Sequence, residues 1–157
     1  DNHSNSDLTF YLRLINHFSK ENDIKEEVNN DLIIASSRIL NYLHKDKAYL
    51  SPGFSKHDIV TSLDIPQKTV TDCFSKVIKI PFPKLRNQLR TEYAMELFRN
   101  NSHVFKTISG IASESGFQNR ASFYIAFKEV TNMTPVEWIE KNCDKQILDS
   151  LNQQTAE

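Results

Sequence analysis

Three polar side chains on one predicted helix, those of Arg120, Ser122 and Tyr124, bring a guanidinium and two hydroxyl groups to the same stretch. These groups donate and accept hydrogen bonds, which is the chemistry of binding rather than of bond breaking. The apolar residues of the helix recur at helical spacing and are Phe123, Ala126, Phe127 and Val130. We therefore expect the polar groups to point outward, away from this apolar stripe.

The helix that bears these groups is the second of a pair within residues 108–135. Gly116 stands where the chain must turn sharply, because a residue without Cβ enters positive φ at no steric cost. Asn119 is a good N-cap for the second helix, since its side-chain oxygen can accept from an otherwise free amide. Helix, glycine turn and helix together form the helix-turn-helix pattern.

An earlier stretch, residues 55–78, repeats this shape without the glycine. Ser55 can cap a short helix, and Asp58 three residues later completes a capping box. Pro66 suits the first position of the helix after the turn. The inward residues predicted for this pair are Ile59, Val60, Leu63, Val70, Cys73, Phe74 and Val77. The sequence thus predicts two helix-turn-helix units.

Further helices surround and join the two units. Residues 31–45 predict a helix whose buried residues are Ile34, Ile39, Leu40 and Leu43. A long helix from Pro81 to about Asn100 joins the units, and its apolar face consists of Leu85, Leu89, Tyr93, Ala94, Leu97 and Phe98. Thr107 can cap the helix that follows. A last helix opens at Thr134 and should close the core with Val136, Trp138 and Ile139.

An amphipathic helix is also predicted near the start of the chain, with Leu8, Tyr11, Leu12, Ile15 and Phe18 on one face. This helix either packs on its own domain or joins two copies of the chain. We assign residues 1–30 to this helix and a linker, residues 31–146 to the main domain, and residues 147–157 to a flexible tail.

Composition favours an all-α fold of ordinary size. The 157 residues are 39% apolar, which is enough for one core, and only three are glycine. The formal net charge is −1, yet residues 55–145 hold 13 Lys and Arg against 10 Asp and Glu, so that 13 − 10 = +3. The basic part of the chain is therefore the part that holds both helix-turn-helix units.

Several classes of protein are not indicated. No apolar run approaches the roughly 18 to 20 residues that span a bilayer, so we expect no membrane contact. The sequence has no glycine-rich phosphate loop, HExxH motif or Cys/His dyad, so we expect neither an enzyme nor a metal or other cofactor. Cys73 and Cys143 lie far apart, which argues against a disulfide or a zinc site. The five histidines show no ligand spacing and are expected at the surface.

The second unit resembles the signature of the AraC/XylS family of bacterial transcription regulators. The matching residues are Ile111-Ala112, Gly116-Phe117, Arg120, Ser122-Phe123, Phe127-Lys128 and Met133-Thr134-Pro135. Arg90 and Ala94 also match an RxxxA pattern in the connecting helix of the family. Asn132 stands where the family usually has glycine, and asparagine enters the left-handed region more easily than most residues.

The resemblance implies a seven-helix domain whose two recognition helices enter adjacent major grooves of double-stranded DNA. The linking helix of roughly 18 residues is about 27 Å long, which compares with about 34 Å for one DNA turn. The implied base contacts are Arg120, Ala121, Tyr124 and Ile125 in the second unit and Gln67, Lys68, Thr71 and Asp72 in the first. Arginine can bond guanine with two hydrogen bonds, whereas alanine and isoleucine can only press on groups such as the thymine methyl.

Other polar residues are better suited to phosphate contacts, which add affinity and register without sequence information. They are Asn119, Ser122, Lys128, Lys76, Lys79, Lys84 and Arg86. Arg90 is expected to be structural instead, paired with a carboxylate inside the domain.

We therefore expect a bacterial, cytoplasmic and sequence-specific transcription regulator whose partner is double-stranded DNA. RNA polymerase and a second copy of the chain are further candidate partners. The alternative is a helical protein-interaction module that does not bind DNA, which the near-neutral net charge and the helix from Leu8 to Phe18 favour. A steep loss of affinity with salt would distinguish the DNA binder from this alternative.

Overall fold

The computed structural model describes residues 30–143. The predicted N-terminal helix from Leu8 to Phe18 and the predicted tail lie outside the described residues. The described residues form seven α-helices and no β-strand, which confirms the all-α prediction. The helices are α1 (Asn30–Asp46), α2 (Lys56–Leu63), α3 (Gln67–Asp72), α4 (Phe82–Arg99), α5 (Ile108–Glu114), α6 (Arg120–Thr131) and α7 (Pro135–Asn142). None of these helices is both long and apolar enough to cross a membrane.

The described residues divide into two compact units. Of the described residues, the first unit contains 30–48 and 53–84, and so holds α1, α2, α3 and the start of α4. The second unit contains residues 49–52 and 85–143, and so holds most of α4 with α5, α6 and α7. Each unit includes one of the predicted helix-turn-helix pairs.

The core of the first unit joins α1 to the α2–α3 pair. Its buried apolar residues include Ile39, Leu40, Leu43, Ile59, Val70, Cys73, Phe74 and Val77, all of them predicted. The prediction that Ile34 is buried is wrong, because it is 59% exposed while Ala35 and Ser36 lie inward. Five residues separate Ile34 from Ile39, which turns Ile34 about 140° around the helix. Ala35, in contrast, lies one turn before Ile39.

The first helix pair turns without glycine. Asp64 ends α2 in the left-handed conformation with φ 52°, which a short polar side chain tolerates better than most. At the other end of α2, the predicted capping box is present. The backbone amide of Ser55 donates to Oδ2 of Asp58 at 2.7 Å, and this hydrogen bond holds the pKa of Asp58 below its ordinary value.

The second helix of this pair is short and irregular. α3 begins at Gln67 with Pro66 immediately before it, so Pro66 is the N-cap and not the first helical residue as predicted. The next turn, Cys73–Ile78, is π-helical, and Lys79 ends it with φ 56°. No pattern in the sequence predicts the π-helical turn, because its apolar residues still recur at helical spacing.

Aromatic rings fill the core of the second unit. The ring of Phe127 lies 5.9 Å from Phe98, 5.5 Å from Phe123 and 6.1 Å from Trp138, measured between centroids. Phe117 packs on Phe123 at 5.2 Å. All five rings are buried, so they form a core and not an exposed stacking surface.

Two valines that were expected in this core are exposed. Pro135 takes the place of Val136, because Pro135 shares the inward face with Trp138 one turn later, whereas Val136 lies about 100° away around the helix. Val130 lies in the last turn of α6. Phe127 is the last residue of the apolar stripe that packs against another ring, so Val130 lies beyond the covered part of the helix.

The prediction that every histidine lies at the surface is wrong for His103. This residue lies in the short 3₁₀ turn Ser102–Val104, and its ring meets the edge of Phe98 at 5.8 Å between centroids. Both ring nitrogens are buried and have no hydrogen-bond partner among the residues that the structure describes. Burial lowers the pKa of His103 below its ordinary value, because the charged ring would lose its hydration.

The second helix pair turns at Gly116, as predicted, with φ +93°. A Cβ atom on this residue would lie 2.7 Å from the carbonyl oxygen of Tyr49 and 2.8 Å from Nε of Arg90. The positive φ and the two close contacts both require glycine.

The side chain of Arg90 is 4% exposed within the second unit. Its Nε donates to the carbonyl of Tyr49 at 2.6 Å, and its Nη2 donates to the carbonyls of Ser51 at 2.8 Å and Pro52 at 3.4 Å. The guanidinium also lies over the ring of Phe117, 5.9 Å from the centroid. Arg90 is therefore structural, as predicted, but the predicted carboxylate partner is wrong, because its acceptors are backbone carbonyls.

The substitution Gly116→Ala should destabilise the second unit by more than about 2 kcal/mol, because it combines a left-handed L-residue with a steric clash. Urea denaturation measures this loss. Gly53→Ala is the control, since its new Cβ meets nothing within 4 Å; we expect a change within about 0.5 kcal/mol. Equal, small effects of the two substitutions would contradict this account of the turn.

The stability of the protein should fall as the pH drops below the ordinary His103 value of about 6.5. Below this pH, His103 takes up a proton in the unfolded chain but not in the folded protein, so protonation favours unfolding. Above this pH, His103 is neutral in both the folded and the unfolded state, and its contribution to the free energy of unfolding is constant. Urea midpoints at several pH values should show a smaller decline for His103→Phe than for the wild type. The same pH dependence in both proteins would exclude His103 as its source.

Candidate nucleic-acid interface

The N-terminus of α6 is fixed by its cap and by the buried side of the helix. Oδ1 of Asn119 accepts from the amide of Ser122 at 2.8 Å, which confirms the predicted N-cap. Phe123, Ala126 and Phe127 are buried on the inner side. With one side in the core and the first turn held by its cap, α6 presents its other side to solvent in a defined orientation.

The outer side of α6 contains a coupled pair of side chains, Arg120 and Tyr124. Nη2 of Arg120 donates to the hydroxyl of Tyr124 at 2.9 Å, and the guanidinium carbon lies 4.9 Å from the centre of the tyrosine ring. The ring in turn meets the edge of Phe123 at 5.9 Å. Tyr124 is half-buried, so it is less outward than predicted. A half-buried ring anchored on the core thus orients an exposed guanidinium.

Two exposed apolar side chains, Ala121 and Ile125, lie on the same helix as this pair. Ile125 is 63% exposed, although burial of a side chain of this size is favourable by about 1.5–3 kcal/mol. A guanidinium with remaining donors and exposed methyl groups on one helix provide the mixture of polar and apolar groups that suits the edges of base pairs.

In the first unit, Gln67, Lys68 and Thr71 are exposed on α3, as a surface for base contacts requires. Asp72 differs, because it is half-buried and its Oδ1 lies 3.8 Å from Nζ of Lys76 one turn later. This carboxylate has a partner within the chain, and its charge partly offsets that of Lys76. Asp72 is therefore the weakest of the four predicted contacts on α3.

The residues predicted to contact phosphates lie in both units. The exposed ones are Lys76, Lys79, Lys84, Asn119, Ser122 and Lys128, whereas Arg86 is half-buried. The side-chain oxygen of Asn119 is engaged in capping α6, which leaves only its amide nitrogen as a donor for another partner.

Arg86 and Ser122 meet in one pocket of the second unit, with a volume of about 310 Å³. The residues that line it are Pro52, Arg86, Asn87, Arg90, Phe117, Gln118 and Ser122. No sequence pattern singles out Asn87 or Gln118, because the pocket combines three separate stretches of the chain. Elsewhere in residues 30–143, no group of His, Cys, Asp and Glu side chains is arranged to hold a metal ion.

Comparisons with known proteins agree with this architecture. A family model described as a helix-turn-helix domain matches residues 59–141. Among solved structures, the chain is similar to a protein of unknown function from Listeria innocua, with 24% identity and a TM-score of 0.56. That similarity covers 66% of this chain and 93% of the other, and it shows the fold. A comparison with curated proteins found no significant match.

The family match extends from α2 into α7 and takes in more than half of the chain. Within it lie both helix pairs, the linking helix α4, the turn at Gly116 and the capped helix α6. The matched model is that of an AraC-type domain. The chain therefore belongs to the AraC/XylS family of DNA-binding transcription regulators.

Proposed function

We propose that this chain binds double-stranded DNA at specific sequences, with α6 in one major groove and α3 in the next. The observation that supports it best is the outer side of α6, which bears a guanidinium oriented by Tyr124 and the exposed apolar side chains of Ala121 and Ile125. Arg120 would bond a guanine, while Ala121 and Ile125 would contact thymine methyl groups. Tyr124 would act first by orienting Arg120 and only second as a base contact.

The contribution of α3 to this proposal has weaker support. Gln67 and Lys68 are exposed and suit adenine and guanine respectively. The ion pair between Asp72 and Lys76 leaves Asp72 as an internal partner or, at most, an acceptor for a cytosine amino group. The linking helix α4 has 18 residues. Its length of about 27 Å is of the order of the DNA helical repeat, about 34 Å, which is compatible with two successive grooves.

A second candidate function is a helical module that binds another protein. The exposed side chain of Ile125 and the formal net charge of −1 both favour it. A protein interface around Ile125 would depend only weakly on salt, whereas a DNA interface that releases several counterions loses affinity steeply between about 50 and 200 mM salt.

The proposal is tested by selection of binding sites from random duplexes, followed by titration of the enriched duplex at several salt concentrations. We expect one enriched sequence and a steep decline of affinity with salt. Absence of any enrichment at low salt would refute sequence-specific binding, and a salt-independent affinity would favour the protein-interaction module.

Replacing Arg120 with alanine should weaken binding to the selected duplex by about 1 to 3 kcal/mol and leave binding to random duplexes nearly unchanged. Lys141→Ala is the matched control, because it removes the same charge from an exposed position on α7. Equal losses on selected and random duplexes would show that Arg120 contacts only the phosphate backbone.

Replacing Tyr124 with phenylalanine keeps the ring and removes the hydroxyl that accepts from Arg120. We expect affinity for the selected duplex to fall by about 0.5 to 1.5 kcal/mol, the worth of one hydrogen bond, with little change in the unfolding midpoint. In an Arg120→Ala background the same substitution should have no further effect. A loss that persists in that background would mean that the hydroxyl of Tyr124 contacts DNA itself.

The proposed function also has consequences for where the protein acts and what it contacts. A regulator that binds the chromosome would work in the bacterial cytoplasm. Contact with RNA polymerase would convert DNA binding into a change of transcription. A second copy of the chain, joined through the predicted helix from Leu8 to Phe18, would strengthen binding on paired sites.

A further inference from the structure

The pocket beside α6 in the second unit has an unusual balance of charge. Arg86 and Arg90 both line it, and none of the described residues that line it is acidic. Its remaining polar groups are the amides of Asn87 and Gln118 and the hydroxyl of Ser122. With a volume of about 310 Å³, it is at the lower end of the range of ligand pockets, which is about 300–1,000 Å³. It thus has the size of a ligand site and one sign of charge.

One donor group in the wall of this pocket has no partner. Arg90 is almost completely buried, and its hydrogen bonds to Tyr49, Ser51 and Pro52 use only Nε and Nη2. Within the described residues, Nη1 therefore keeps two unpaired N–H groups, although Arg90 lines the pocket. Nη1 is not among the side-chain atoms that are buried without a hydrogen-bond partner, so these N–H groups are open to the pocket and can donate to an acceptor bound there.

The two guanidinium groups also repel each other. Burial, and then the positive charge of Arg86, lowers the pKa of Arg90 to about 10. Arg90 remains charged at neutral pH, because a group with this pKa is still almost fully protonated. An anion between them would reduce this repulsion, and guanidinium groups match the oxygen atoms of phosphate with paired hydrogen bonds.

The lining residues other than the two arginines are mostly polar, which suits a hydrophilic anion and not an apolar cofactor. Ser122 belongs to the first turn of α6, a helix of 12 residues whose N-terminus bears a partial positive charge. Gln118 and Ser122 are exposed, so a group on a large molecule can reach the pocket from outside. Only Phe117 and Pro52 supply apolar surface.

We infer that this pocket, lined by Arg86, Arg90, Gln118 and Ser122, binds one phosphodiester group of the duplex that α6 contacts. The inference rests on the proposed function, since it needs α6 to lie in a major groove. Helix N-termini and the side chains of arginine, serine and glutamine are among the groups that bind phosphate oxygens of DNA. The bound phosphate would fix the depth and angle at which Arg120 meets the bases.

The variant Gln118→Glu tests this inference, because it places a carboxylate in the pocket without changing the size of the side chain. The new carboxylate should occupy the anion site from within the chain, so the unfolding midpoint should stay the same or rise. Affinity should fall about tenfold on selected and random duplexes alike, and the slope of log affinity against log salt should decrease by about one. Asn100→Asp, an exposed change of the same charge outside the pocket, is the control and should alter neither.

A second arm identifies the phosphate. Selected duplexes with a single neutral methylphosphonate at each backbone position in turn should include one position that weakens wild-type binding about tenfold but has no effect on Gln118→Glu. Titration of the wild type with inorganic phosphate, followed by NMR of the Gln118 side chain, shows whether a free anion binds instead.

The outcomes separate this inference from the proposed function. If the wild type binds a selected duplex but Gln118→Glu behaves like Asn100→Asp, the pocket holds no DNA phosphate, while DNA binding by α6 stands. If inorganic phosphate binds tightly and no methylphosphonate position depends on Gln118, the pocket is a site for a free anion and the inference is wrong. If no duplex is enriched at all, the proposed function fails and the inference fails with it.

Discussion

The buried guanidinium of Arg90 is the interaction on which the second unit depends. A charge that leaves water needs partners, and here the partners are the backbone carbonyls of Tyr49, Ser51 and Pro52. Carbonyl groups satisfy the donors without neutralising the charge. Arg90 therefore ties a remote stretch of chain to α4 and at the same time keeps a positive potential in the pocket wall.

The turn between α5 and α6 is built around the same guanidinium. Gly116 packs against Nε of Arg90 and the carbonyl of Tyr49, and the ring of Phe117 lies beneath the guanidinium. The position of this turn determines where α6 begins, three residues after Phe117, with Asn119 as its cap. The outer side of α6, with Arg120 and Tyr124, thus takes its orientation from contacts that involve neither residue.

Local features of this fold could be predicted from the sequence, because each depends on neighbours in the chain. The N-caps at Asn119 and Thr107, the glycine at the second turn and the left-handed Asn132 were all predicted correctly. The wrong predictions of burial, such as that of Ile34, concern apolar residues at the edge of a helix's apolar face, where no other element packs. Hydrophobic periodicity indicates the direction of that face but not its width.

Most features of the candidate interface could not be predicted, because they join distant parts of the chain or depend on side-chain direction. The acceptors of Arg90 lie about 40 residues earlier, and no spacing rule connects the two. The hydrogen bond from Arg120 to Tyr124 joins residues at i and i+4, which are neighbours on a helix surface. The sequence does not show whether the Tyr124 hydroxyl points toward Arg120 or outward toward a DNA base.

The hydrogen bonds of Arg90 also define where this domain can be cut. The region that matches the family model begins at residue 59, yet the carbonyls that accept from the guanidinium belong to residues 49–52. A fragment trimmed to the matched region would keep the buried charge and lose all its acceptors, at a cost of several kcal/mol. The smallest self-sufficient DNA-binding piece of this chain therefore has to start before Tyr49, and sequence similarity alone would place its boundary too late.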